Sequence, residues 1–207
     1  MEQIKNIYCI GRNYASHAQE LGNKVPKRPL IFSKPTHSLR KADGTVELPA
    51  DRGEIHYEAE IVLKIGRTPG DSFTVEEVVD AMALGIDFTL REEQTHLKEK
   101  GHPWLRAKGF KNAAVLTDFW DFPGTETCVT TEFSLVQNND TVQSGKASDM
   151  IFDFQSLIAE CRDCFGIGPG DIIFTGTPKG VGKTQNGDLF SLFWGNERKG
   201  EFDTRIM

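Results

Sequence analysis

An eleven-residue run, HYEAEIVLKIG at 56–66, constrains this chain more than any other stretch. Its second half is apolar, rich in β-branched residues and closed by glycine, which reads as a strand. Side chains two apart on a strand share a face. His56, Glu58 and Glu60 are therefore expected to point one way, and Tyr57, Ala59 and Ile61 the other. Two carboxylates about 7 Å apart at their Cα atoms repel when both are ionised. At ~5 Å between charges and an effective dielectric of ~20, the repulsion is about 3 kcal/mol. A cation between them converts that cost into affinity, and ligands that are all oxygen suit Mg2+, Mn2+ or Ca2+. A solvated strand face carrying two acids has the same spacing, so spacing alone does not choose.

The rest of the chain is a succession of short runs punctuated by glycine, proline, asparagine and aspartate. Strands are expected at 7–10, 30–34, 84–90, 113–119, 133–136, 141–143, 172–174, 189–194 and 200–206. Helices are expected at 15–21, at 75–83 behind the capping residues Thr74 and Glu77, at 91–100 and at 154–164 behind Asp153. Residues 36–54 read as polar and rich in turns, and Asn138-Asn139-Asp140 signals a hairpin. Many short strands with few short helices argue for a predominantly β member of the α+β class, built as a roll or sandwich. The 207 residues suit one domain over 1–207, and 14 Phe among 38% hydrophobic residues can fill its core.

Composition excludes several function classes. The net charge is −6 and no Lys/Arg block stands out, so neither nucleic acid nor an anionic membrane is an expected partner. The sequence contains no 18-residue apolar run, so no bilayer-spanning helix is expected. The first residues, MEQIK, do not read as a signal peptide, and a cytoplasmic, reducing compartment fits the four cysteines. Cys161 and Cys164 form a lone CxxC with no second metal-binding pair nearby, and they close a helical pattern rather than open one. Both read as ordinary thiols.

Asp87 sits inside the apolar run LGIDF, where a carboxylate is costly to bury unless paired or bound to metal. With Glu58 and Glu60 it would make a three-carboxylate face with positions left for water and substrate. A salt bridge to a nearby Arg or Lys is the simpler alternative for Asp87. An anionic substrate over such a face needs further cations, and Arg91, Lys34 and Lys108 are candidates. His17 and Glu20 are three apart, on one face of the first short helix, where a carboxylate can orient an imidazole base. The loop TGTPKGVG at 175–182 offers backbone N–H groups to an oxyanion, but its spacing is not that of a phosphate-binding P-loop.

NYASHAQE, IFSKP, HYEAE, GIDFTLREEQ, LRAKGF, ASDMIF and GDIIFTGTPKGVG follow one another in this order. In that ordered set the chain resembles the fumarylacetoacetate hydrolase superfamily, in its compact branch acting on acylpyruvates and oxaloacetate, over about residues 5–206. The resemblance implies a mixed β-sandwich roll of the hydrolase's C-terminal-domain type, usually a homodimer. It implies Mg2+ or Mn2+ on Glu58, Glu60 and Asp87, with Ca2+ a substitute. It implies His17 and Glu20 as a catalytic dyad on a lid over about 12–25. Lys108 and Gln94 would position substrate or water, and Thr177 would touch the ligand. Arg12 and Lys34 fall at family positions near the pocket, and Arg91 follows the third metal ligand closely. Glu92 departs from the aspartate that relatives often carry.

These residues imply chemistry on a keto acid that chelates a Lewis-acidic metal. The first expectation is hydrolysis of a C–C bond in acylpyruvates. Decarboxylation or keto–enol tautomerisation of oxaloacetate is the alternative, since all proceed through one enolate. An isomerase–decarboxylase of aromatic catabolism and a non-catalytic ligand-binding protein are further alternatives. His56 is expected to hydrogen-bond near the metal rather than to ligate it.

Overall fold

The computed structural model describes residues 4–16 and 26–207. In chain order its strands are β1 (Ile7–Gly11), β2 (Leu30–Lys34), β3 (Leu39–Lys41), β4 (Thr45–Leu48), β5 (Ile55–Tyr57), β6 (Ala59–Ile65), β7 (Val79–Asp87) and β8 (Thr89–Leu90). They continue with β9 (Ala114–Leu116), β10 (Trp120–Asp121), β11 (Phe133–Gln137), β12 (Asp140–Gly145), β13 (Ile172–Phe174), β14 (Gly182–Lys183), β15 (Leu189–Trp194) and β16 (Glu197–Ile206). The helices are α1 (Val75–Val78), α2 (Arg91–Glu99), α3 (Leu105–Lys108), α4 (Thr125–Thr130) and α5 (Phe154–Phe165).

One large mixed sheet has the order β2-β1-β13-β6-β7-β9-β3, with β10 on β7; a second runs β12-β11-β15-β16-β4, and a small third is β14-β5-β8. The expected β-rich roll is what forms. Its central strand β6 is buried along nearly its whole length, which is why its middle, Ile61-Val62-Leu63, is apolar on both faces. Ala59, Ile61, Leu63 and Ile65 join Met82, Leu84 and Ile86 of β7 in the main core, while Val62 and Ala83 face a smaller cluster on the other side. Phe88, Phe190 and Phe202 close the main core between sheets, with ring centroids 5.5–6.4 Å apart.

Three sequence expectations change. The strand through 56–66 is broken at Glu58: β5 belongs to the small sheet and β6 to the large one. The helix expected over 75–83 is one turn, Val75–Val78, and β7 begins at Val79. The capping box is real, with Thr74 N–H donating to Glu77 Oε2 at 2.8 Å. Beyond it, pairing with β6 imposes a two-residue burial period on Met82, Leu84 and Ile86. Residues 36–54 hold β3 and β4, because Val46 and Leu48 alternate into the core. The lone CxxC ends α5 with Cys161 buried, Cys164 exposed and both thiols free.

Candidate active site

The site begins with the register of two strands. Glu60 pairs with Gly85 and Ala59 with Ile86, and Asp87 N–H donates to Glu58 C=O at 2.8 Å, which carries the pairing one step further. Glu58 and Asp87 thus stand opposite each other, with Glu60 two residues along on the same face. One carboxylate oxygen from each of the three lies within 4.8 Å of the others, and all three side chains are buried. Gly85 opposite Glu60 has no room for a side chain, since a Cβ there would lie 2.6 Å from the Phe174 ring.

Cations surround this face. Lys108, at the end of α3 and 2% exposed, donates from Nζ to Glu58 Oε2 and to Asp87 Oδ2, both at 2.7 Å. Burial works against its charge, but the Asp87 and Glu58 carboxylates outweigh that and raise the Lys108 pKa. Lys34 Nζ lies 2.6 Å from Asp87 Oδ1 and donates to Ala113 C=O at 3.0 Å and to Lys108 C=O. Arg91, the first residue of α2, donates to Glu58 Oε1 at 2.6 Å and to Gln94 Oε1 at 2.8 Å.

Glu60 is treated differently. Its Oε2 accepts Gly176 N–H at 2.7 Å, and among the described residues it makes no ion pair. Burial raises its pKa well above the ordinary value, and the charges of Asp87 and Glu58 push the same way. A buried carboxylate held this way against two others is what a divalent cation relieves. The donor set, oxygen only and on one face, fits Mg2+ or Mn2+.

A cavity opens above the three acids, and Arg12, Arg91, Gln94, Lys108 and Thr177 all line it. Of the residues expected at the substrate, Lys34 is the exception. It is 3% exposed and does not line the cavity, and it braces Asp87 from beneath. His17 and Glu20 lie outside the described residues. His56 does not reach the three-acid cluster; Arg91 Nε approaches its Nδ1 at 3.3 Å and its Nε2 lies 3.3 Å from Glu54. Burial and the Arg91 guanidinium lower its pKa.

Several contributors were not among the expected site residues. Gln143 of β12 is buried, accepts Ala59 N–H at 2.9 Å, and donates to Thr177 Oγ1 at 2.9 Å and to Pro178 C=O at 3.0 Å. It ties the start of β6 to the ligand loop. Asn13, fully buried, donates to Thr175 C=O at 2.9 Å and accepts Phe152 N–H at 2.8 Å. Its signal was its place at the head of NYASHAQE. Lys98 also lines the cavity. Only the helical spacing from Arg91 and Gln94 pointed to it.

Comparison with known proteins adds three findings. The fumarylacetoacetate (FAA) hydrolase C-terminal family model matches residues 6–205. Over 195 residues the chain is 37% identical to oxaloacetate tautomerase YcgM of Escherichia coli (strain K12), covering 91% of this chain and 88% of that one. It is 34% identical over 191 residues to the mitochondrial oxaloacetate decarboxylase of Dictyostelium discoideum, covering 91% and 88%. Among solved structures, a fumarylpyruvate hydrolase from Pseudomonas aeruginosa in complex with Mn2+ and pyruvate superposes with a TM-score of 0.89 at 28% identity, covering 100% of this chain and 93% of that one.

Proposed function

The chain belongs to the fumarylacetoacetate hydrolase family, and we propose that it is a divalent-metal-dependent oxaloacetate tautomerase. The observation that carries this reading is the floor of the cavity, where three buried carboxylates on one face adjoin the Lys108 ammonium. The names of the 37% and 34% identical relatives favour oxaloacetate over the acylpyruvate expected first.

Keto–enol exchange breaks a C–H bond at C3 and forms an O–H bond at O2. A bound Mg2+ or Mn2+ would supply Lewis acidity to the carboxylate and the 2-oxo group. Glu58, Glu60 and Asp87 would hold that ion. Lys108, cationic between two carboxylates, is placed to donate to an oxygen that gains negative charge. Arg91 fixes Glu58 and Gln94 together, so the ligand oxygens and the amide keep one geometry. Thr177, set by Gln143, contributes a hydroxyl to the lining. His17, oriented by Glu20, is the proposed proton acceptor, on the strength of the sequence resemblance. Two copies of the chain are expected to associate, as in the family at large.

The test follows enol absorbance after adding oxaloacetate in one form. Exhaustive chelation with EDTA should abolish the exchange, and Mg2+ or Mn2+ should restore it. Full turnover after chelation, or none with metal, overturns the reading. Acylpyruvate hydrolysis is the second reading, favoured by the likeness to the fumarylpyruvate hydrolase. Acetylpyruvate and fumarylpyruvate, assayed alongside, separate the two.

A further inference from the structure

We propose that Lys98, with Arg12, binds a second carboxylate at the mouth of the cavity and selects dicarboxylic keto acids over those with an uncharged tail. The inference deepens the tautomerase reading and rests on it for the identity of the floor.

The geometry is that of one helix face. Arg91, Gln94 and Lys98 of α2 are spaced i, i+3, i+7, so they project in one direction, and all three line the cavity. Arg91 touches Glu58 at the floor. Gln94 follows one turn later and is still buried, and Lys98 follows a turn beyond and is exposed. With a rise of about 1.5 Å per residue, Lys98 stands roughly 10 Å further along the helix axis than Arg91. The helix therefore offers groups from floor to rim.

Arg12, from the turn after β1, joins this lining. It follows β1 with φ +61°, a left-handed backbone that a non-glycine residue seldom adopts. It lines the same cavity as Lys98. The two cations, together with Arg91, are close enough to act on one another: after burial, repulsion from Arg12 and then Arg91 lowers the Lys98 pKa. Phe32 and Trp104, with rings 5.6 Å apart, wall the cavity and reduce its polarity. A carboxylate at the rim would meet two cationic side chains beside an apolar wall. A keto acid anchored by one carboxylate at the floor presents such a group only if its other end is also a carboxylate.

Malate and lactate test this without chemistry. Both offer a 2-hydroxycarboxylate to the metal, neither can tautomerise or lose CO2, and only malate has the second carboxylate. The Mn2+-loaded protein is titrated calorimetrically with each. The wild type should bind malate more tightly than lactate. Lys98→Gln should weaken malate about 10-fold or more and leave lactate at its wild-type value. Arg12→Gln should shift the same balance. Unchanged malate affinity in Lys98→Gln, or equal weakening of both ligands, overturns the inference. Absence of oxaloacetate turnover in the wild type would end the tautomerase reading alone, because neither probe reacts.

Discussion

Glu58, at the break between β5 and β6, stands opposite Asp87 at the end of β7, joined by the Asp87 N–H to Glu58 C=O bond at 2.8 Å. Lys108 Nζ bridges their side chains at 2.7 Å to each. Backbone pairing and side-chain pairing thus agree at one point, and the ligand geometry is inherited from the sheet.

Glu60 is the carboxylate without an ion pair among the described residues, so it should matter most to the metal. Glu60→Gln keeps the acceptor for Gly176 N–H and removes the charge. Mn2+ affinity, read by titration, should fall at least about 10-fold. In the wild type, Mn2+ at 100 times its Kd should raise unfolding free energy by about 2.7 kcal/mol. Equal Mn2+ affinity in the variant would remove Glu60 from the ligand set.

Lys108→Met leaves two buried carboxylates facing each other. Losing one partner of a buried ion pair costs about 3–5 kcal/mol, which urea unfolding of the metal-free protein should register. Because the variant's site is more negative, Mn2+ should stabilise it by more than it stabilises the wild type. Identical increments would mean that the ammonium and the metal do not share the same field.

Gly176 has φ +101°, and a Cβ there would lie 2.7 Å from Asn13 Cβ. Gly176→Ala should destabilise by about 2 kcal/mol, since the left-handed backbone alone costs 1–2. Its N–H must shift as the loop adjusts, so Mn2+ binding should weaken together with stability. A variant of normal stability and affinity would show that the loop yields freely.

Gln143 can be dissected by its two ends. Gln143→Leu strands the buried Ala59 N–H at a cost of about 1–3 kcal/mol. Gln143→Glu keeps that acceptor but loses the donor to Thr177 Oγ1 and Pro178 C=O. Both should raise KM for oxaloacetate, and only Gln143→Glu should lower pH-dependent stability as its carboxylate ionises above pH ~4.3. If neither changes KM, the Thr177 hydroxyl does not depend on this amide.

Much of this was legible in the chain itself. The apolar run after Glu60 marked a buried strand, and the burial of Asp87 inside LGIDF marked a charge in need of a partner. Both readings rest on local pattern and the cost of burying charge. The failures share a cause. Helix or strand over 75–83 was set by pairing with β6, and the break at Glu58 by two different sheets claiming β5 and β6. Lys34 looked like a substrate contact because it is a lone charge ending an apolar strand, yet it turns beneath the floor to Asp87 and the Ala113 carbonyl.

By itself, then, the sequence determined the β-rich class, the two-residue spacing of the acids and the oxygen-only chemistry they can hold, because periodicity and ionisation are local properties. Only the tertiary structure decided which cations answer which acids. Gln143 lies 34 residues from Thr177 and Lys108 lies 50 from Glu58, and such pairs meet solely through strand register and the packing that fixes it. The register places Glu58 against Asp87 with Glu60 beside them, and the helix that begins at Arg91 carries Gln94 and Lys98 up the wall of the cavity.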